Sequence, residues 1–419
     1  MTRQDNRPDT AGALTTILRA AQLLHDSGQS TSMTVQAVQR LSRGLGQPAV
    51  VIPGWTSITV YDPRGGGAQA LIGQTRPVGV TMRRVATLMR AVDEVGRRPV
   101  QRDDIERVID AAGRLAPSST PAFVAACGVG AAALAVVFGA TDMRVVALVA
   151  VAAALGGALR RALARFGADP LLQTFVAAVV AGAAGTTAGQ VGLQSAAGLV
   201  AVCPAMVLVP GPQILIGAMD LLAARMTLAI SRLGYALLVL ATIAVGLMLG
   251  LWPGGQPLPL TSPPAAVPFV VDVLAAGVAA ACYPVFFSMP YRLIGWPIAV
   301  GMAAHALHWW AITTWHASLP VAALLACLLT GAVLTPMAYL RHMPFAAVGF
   351  ASVVALVPGM YVFRTVVGVA ELSAGAGERT LLDVANNGST ALLTVIAMAV
   401  GLAVPTRVRD RVLERRSGD

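Results

Sequence analysis

The chain has 419 residues, 56% of them hydrophobic and only 12% charged, with a mean hydropathy of +0.71. A soluble globular domain carries roughly twice that charged share, so the composition excludes an ordinary soluble protein and predicts an integral membrane one. The 30 Lys/Arg positions are all arginine and the formal charge is +10; these arginines gather at the edges of apolar runs and in the N-terminal region, which is a topology signal, and no nucleic-acid partner is expected.

The first residues, MTRQDNRPDT, are polar with no apolar core behind them, so no cleaved signal peptide is expected. Residues 1–118 read as a small α+β unit with fifteen Arg against ten acids, a net of about +5. Thr10–Asp26 predicts a helix with Leu14, Ile17, Leu18, Ala21 and Leu24 on its apolar side. Ser30, Thr31 or Ser32 can cap a second helix, Met33–Leu45. Short β-like runs follow at Ala49–Ile52, Ser57–Tyr61 and Gln69–Ile72, with a fourth at Gly79–Met82. Helices are predicted over Val80–Val95 and Arg102–Leu115. The Gly-rich turn DPRGGG (Asp62–Gly67) lacks the context of a phosphate-binding loop and reads as a hairpin turn. Ser30, Thr31 or Ser32 beside His25 is the single candidate nucleophile–base group, and it carries the alternative reading of a membrane-anchored enzyme or sensor with its active part in this unit.

Ten apolar spans follow, at about 120–140, 144–160, 171–190, 194–218, 231–252, 265–288, 293–313, 318–339, 345–369 and 384–405. One set of connecting loops carries Arg160, Arg161, Arg165, Arg225, Arg232, Arg292 and Arg341; in the other, the loops Gln190–Leu193, Pro253–Pro264 and Trp315–Leu319 have no Arg. By the positive-inside rule both termini are cytoplasmic. The expected domains are 1–118, a cytoplasmic α+β domain; 119–252 and 253–406, two five-helix transmembrane repeats; and 407–419, a basic cytoplasmic tail. Cys127, Cys203, Cys282 and Cys327 sit far apart in apolar runs and read as small buried hydrophobes.

The fourth and ninth spans share four letters, LVPG, at Leu208–Gly211 and Leu356–Gly359, 148 residues apart. Pro removes a backbone donor and clashes with the preceding turn, so each copy predicts a broken helix. Inside a bilayer a break is tolerated only where protein or a watery cavity covers the freed groups. Five spans separate the copies, an odd number, so the halves are expected to be inverted repeats with their breaks near mid-membrane, the arrangement of secondary transporters. The candidate substrate and ion pathway is Pro210, Gly211, Gln213, Gly217 and Asp220 on the first copy, Pro358, Gly359, Tyr361 and Arg364 on the second, and Asp272 in the sixth span. Helix N-termini suit a carboxylate, and Asp220 or Asp272 suits an amine. Asp220 also reads as a solvated loop acid at the end of its span. An ionisable residue inside a span, such as Asp272, marks a pathway by default, as proton relay or substrate contact. His305 and His308 in the seventh span are three apart with no carboxylate or Cys near them in sequence; neither a metal site nor a cofactor is expected.

Several stretches resemble the threonine/serine exporter family. LLHDSGQSTSMTVQAVQRLSRGLG (Leu23–Gly46) is similar to the opening of its head, as is TMRRVATLMRAVDEVGRRPV (Thr81–Val100) to the helix that follows. AMVLVPGPQILIGAMDLLAARMTLAISRLGYALLVLATIAVGLMLG (Ala205–Gly250) resembles its most distinctive segment, with Pro210, Gly211, Asp220 and Arg232 at the matching places. Gln213, Ile214 and Ile216 depart from the small polar residue expected there. The resemblance implies export of threonine and serine from the cytoplasm, driven by the proton motive force, through a five-plus-five helix layout. The expected partners are threonine or serine, protons and the lipid bilayer of the plasma or inner membrane, and the sequence is compatible with a homo-oligomer.

Overall fold

The computed structural model describes residues 10–64, 70–95, 101–254, 267–340, 345–373 and 375–417. Residues 1–9, the glycines of DPRGGG, Arg341 and most of the Pro253–Pro264 loop lie outside them.

The N-terminal unit, or head, packs α1 (Thr10–Asp26), α2 (Thr31–Gly44), α3 (Met82–Val95) and α4 (Arg102–Gly113) with β1 (Val50–Pro53), β2 (Ser57–Tyr61) and β3 (Ala70–Gln74). The strands form an antiparallel meander in the order β1-β2-β3, with Val51 opposite Val60 and Val60 opposite Leu71. Side chains alternate across a strand, so Ile58 and Val60 of β2 are fully buried beneath the helices. The apolar stripe of α1 predicted from spacing is the stripe observed: Leu14, Ile17, Leu18, Ala21 and Leu24 all lie in the head core. Gly79–Met82 is not a strand. The Thr81 N–H donates to the Ser27 carbonyl, while the Met82 and Arg83 N–H groups donate to the carbonyls of Phe287 and Ser288. This run leaves the sheet because its hydrogen bonds are made with α1's exit and with the membrane helices.

The remainder is helical: α5 (Thr120–Val137), α6 (Met143–Arg165), α7 (Pro170–Gln190), α8 (Ala197–Met206), α9 (Gly211–Leu222), α10 (Met226–Leu251), α11 (Phe269–Phe286), α12 (Gly295–Thr313), α13 (Leu319–Leu340), α14 (Phe345–Val353), α15 (Gly359–Ser373) and α16 (Glu378–Ser417). Among the described residues seven helices are long and apolar enough to cross a membrane, or nine if each of two bent pairs counts as one span. This is a helical integral membrane protein. The seventh expected span, 293–313, is α12, which has 19 residues but falls short of the others in apolarity; Pro297, His305, His308, Trp309 and Trp310 lower it, and the helix packs between α11 and α13. The second span, expected to be short, is a 23-residue helix that carries Arg160, Arg161 and Arg165 on its last turns. Arg232, expected in a loop, lies inside α10 and is 1% exposed.

The two halves are packed alike. Contacts of α5 with α6, α6 with α7, α7 with α10 and α9 with α10 recur as α11 with α12, α12 with α13, α13 with α16 and α15 with α16, and α5 meets α11 across the middle. In both halves the tightest pair closes on glycine. A Cβ on Gly250 of α10 would run into the Val179 carbonyl of α7, and one on Gly401 of α16 would meet the Leu324 carbonyl and Cys327 of α13. Small residues let helix backbones approach where no hydrophobic effect drives them together. Gly250→Val and Gly401→Val are therefore each expected to destabilise the protein by about 1–3 kcal/mol through overpacking. Gly234→Val, at a position with nothing within 4 Å of the added carbon, should leave the melting temperature of the detergent-solubilised protein in place.

Candidate functional site

The two LVPG sequences build the same joint. In the first, the Val209 N–H donates to Met206 at 3.3 Å, the Gly211 N–H to Val209 at 2.8 Å and the Ile214 N–H to Pro210 at 3.1 Å. In the second, the Val357 N–H donates to Val354, the Gly359 N–H to Val357 at 2.7 Å and the Val362 N–H to Pro358 at 3.1 Å. Each proline supplies no N–H, so the helix stops, and its carbonyl starts the next one. The helix segments bend by 67° at the first joint and 69° at the second.

The joints face each other. Gly211 lies against the Phe350 ring on α14, the helix that leads into the second joint. Gly359 lies against Met206 at the end of α8, which leads into the first. A side chain at either glycine would occupy the space its neighbour fills. The Tyr283 hydroxyl donates to the Met206 carbonyl at 3.3 Å, and Tyr283 and Phe287 set their rings 5.8 and 6.2 Å from Phe350. Beside the crossing is a small apolar cavity of about 50 Å³ whose walls include Val209, Gly211, Leu215, Val353, Val357 and Met398. A second void of about 10 Å³, no larger than a water needs, lies behind the first joint, lined by Cys127, Arg160, Pro204 and Leu208 among others. Arg160 was read as a loop residue. Its guanidinium instead sits 5.3 Å from the Phe286 ring centre, and its Nε and Nη1 have no hydrogen-bond partner.

Pro210, Gly211, Pro358 and Gly359 are thus brought together, and the other candidates are placed elsewhere. Tyr361 and Arg364 lie on α15, partly buried. Asp272 is 4% exposed near the start of α11, and its Oδ1 is 3.7 Å from His305 Nε2 on α12. The His305 and His308 rings are 5.6 Å apart. The sequence places no carboxylate beside these histidines; the fold does, because α11 and α12 are antiparallel neighbours. Gln213 and Asp220 both turn to the head. Gln213 Nε2 donates to the Val78 carbonyl at 2.9 Å.

Asp220 is not a solvated loop acid, being 1% exposed. A tight turn with Ala224 at φ 57° reverses the chain from α9 to α10, and Gly217 lets α10 come close enough that an added Cβ would touch Arg232 and Leu233. Asp220 then meets three partners. Thr31 Oγ1 donates to its Oδ2 at 2.8 Å, Arg225 Nη1 donates to its Oδ1 at 3.2 Å, and Arg232 Nε stands 3.3 Å from Oδ2. Arg225 Nη1 also donates to Ser32 Oγ at 3.0 Å. The ring of the head residue Trp55 lies tilted against Tyr235, centroids 5.4 Å apart, and 6.0 Å from the Arg232 guanidinium. Ser30 holds the N-cap position of α2 without a side-chain cap bond, so the hydroxyls of Thr31 and Ser32, expected as caps, bind the membrane part instead. His25 Nε2 lies 3.1 Å from the Gly54 carbonyl. Trp55 and Val78 carry no such signal in the sequence, and Thr31, Ser32 and Arg232, singled out there as caps or a nucleophile and as a loop arginine, are instead partners around Asp220. Arg225 and Arg232, seven apart and so on one helix face, were the available signal.

Comparison with known proteins gives two family matches. The model of the threonine/serine exporter family matches residues 15–252, and the model described as Threonine/Serine exporter, ThrE, matches residues 272–408. No curated protein and no solved structure gives a significant match.

The head–membrane junction makes a prediction about pH. Burial, and next the nearby Arg232 charge, lower the His25 pKa from 6.5 to about 4. The unfolded chain therefore takes up a proton that the folded one refuses, and stability falls as pH drops from about 6.5 to about 4. Thermal unfolding of the full chain should show a lower midpoint at about pH 5 than at about pH 7. His25→Gln, which keeps a donor for Gly54 but does not titrate, should flatten that difference.

Proposed function

The chain belongs to the threonine/serine exporter family, and from that premise we propose that it is a secondary transporter carrying threonine and serine out of the cytoplasm, driven by protons. The observation that carries this reading is the pair of identically built helix breaks packed against each other. Two discontinuous helices meeting at the interface of similar halves form a common substrate site in such transporters. We read the halves as inverted repeats of five spans, with α12 as the second span of the second half. The arginine-bearing ends of α6 and α10, and the turn after α11 that carries Arg292, adjoin the head, which supports a cytoplasmic position for the head and for both termini in the plasma or inner membrane.

In this reading the breaks bind the amino acid, with helix N-termini at Gly211 and Gly359 favouring its carboxylate. Pro210 and Pro358 hold those N-termini open, and Gln213, Gly217, Asp220, Tyr361 and Arg364 flank the path. The apolar cavity beside the breaks suits the methyl-bearing side of a small substrate better than a charged side chain. Asp272 with His305 is the proton-handling pair. A buried carboxylate beside an imidazole exchanges one proton between them without leaving either group stranded as an isolated charge. His308 on the same helix extends it by one step. Substrate and protons share the protein but occupy different places, so coupling runs through helix movement.

Cells loaded with a threonine dipeptide and carrying the protein should release threonine faster than cells without it; equal efflux contradicts the reading. In proteoliposomes, Asp272→Asn should cut pH-gradient-driven threonine transport at least tenfold and leave threonine counterflow largely intact. Loss of both together removes Asp272 from proton coupling.

A further inference from the structure

The ion cluster at the head junction holds more positive charge than it uses. Asp220 faces two arginines, Arg225 and Arg232. His25, on the head side, is neutral at physiological pH, which leaves the cluster with a net charge of +1. Arg232 is 1% exposed; its Nε faces Asp220 Oδ2 at 3.3 Å, outside good hydrogen-bond geometry, and its Nη2 has no hydrogen-bond partner. An arginine sealed from water with unused donors is costly, and a carboxylate is the group its planar fork fits. What occupies the cluster now is a pair of hydroxyls from the head, Thr31 Oγ1 on Asp220 and Ser32 Oγ on Arg225. Thr31 and Ser32 bear the side chains of threonine and serine themselves. The neighbouring Gln29 is fully buried, with its Nε2 also unpartnered.

We infer that Asp220, Arg225 and Arg232 form a cytoplasmic-side binding site for a hydroxylated α-amino acid, held closed in this structure by the Thr31 and Ser32 hydroxyls acting as a built-in substrate mimic. The arrivals match group for group. The substrate carboxylate goes to Arg232, its ammonium to Asp220, and its side-chain hydroxyl to the place vacated by Thr31 or Ser32. No free amino acid reaches the site while the head is docked, because Trp55 covers Arg232 and the Val78 carbonyl holds Gln213. Substrate and head therefore compete, and binding of one releases the other. The inference rests on the export reading for its substrate class. It adds the residues that select that class and a role for the head.

The test uses the full chain in proteoliposomes with L-threonine as probe. Wild-type counterflow of threonine is measured first; its absence overturns the export reading and this inference with it. Given wild-type transport, the double variant Thr31→Val/Ser32→Ala removes the two competing hydroxyls with little change in shape. It should lower the half-saturating threonine concentration several-fold. Arg232→Met should raise it more than tenfold and abolish the preference for threonine over threonine methyl ester, which lacks the carboxylate. Hydrogen exchange on the wild-type protein needs no variant: L-threonine should speed exchange across residues 29–34, and L-alanine at the same concentration should do so less. Unchanged half-saturation in the double variant, or exchange at 29–34 indifferent to threonine, overturns the inference and leaves the export reading standing.

Discussion

A carboxylate sealed between two guanidinium groups ties the parts of this chain together. Burying Arg232 inside α10 would cost several kcal/mol if it were alone, and Asp220, 3.3 Å away, is what offsets that cost. Every feature around the pair serves to place it. The turn through Ala224 folds α10 back onto α9, Gly217 admits the arginine's stem, and Thr31 of the head completes the shell of the carboxylate. Because one ligand of Asp220 comes from 189 residues away, the head is part of the membrane domain's electrostatics. Met82 of α3 lies in the same apolar core as the membrane helices, so docking is apolar as well as ionic.

The ion cluster adjoins the first helix break. α9 begins at Gly211, packed on Phe350 of the other half, and reaches Asp220 less than three turns later. At 1.5 Å per residue that is about 14 Å of helix. Movement of the head is thereby connected by one rigid element to the crossing of the two breaks. Asp272 and His305 lie on α11 and α12, and α11 also ends at the head through Phe287 and Ser288. One helix thus bears the buried acid Asp272 near one end and receives the head's hydrogen bonds at the other. These are the two elements through which events on opposite sides of the membrane can be coupled.

Much of this was legible in the sequence, and the rest was not for identifiable reasons. LVPG is a local instruction: proline removes a donor wherever it falls, so both breaks and their likeness could be read directly. The α1 stripe was legible because helical period and burial coincide. Gly79–Met82 has strand composition, yet its backbone partners are Ser27, Phe287 and Ser288, a choice made by tertiary packing. Thr31 and Ser32 look like caps because hydroxyls before a helix usually are; only the arrival of α9 and α10 shows them otherwise engaged. Asp272 and His305 are 33 positions apart on separate helices, and no spacing rule joins them. Composition alone sets α12 apart from the other spans, and one of the residues responsible, His305, is the one that meets Asp272.

In the proposed mechanism the head closes the cytoplasmic side through Asp220 and lets go when substrate arrives. Spin labels at exposed Gln39 on α2 and Phe166 beyond α6 report that directly by double electron–electron resonance in lipid nanodiscs. The account predicts a single narrow distance in the absence of substrate, replaced by a longer and broader population on adding L-threonine, with Asp220→Asn broad from the start. A distance that stays narrow and unchanged with threonine and with Asp220→Asn alike would contradict it.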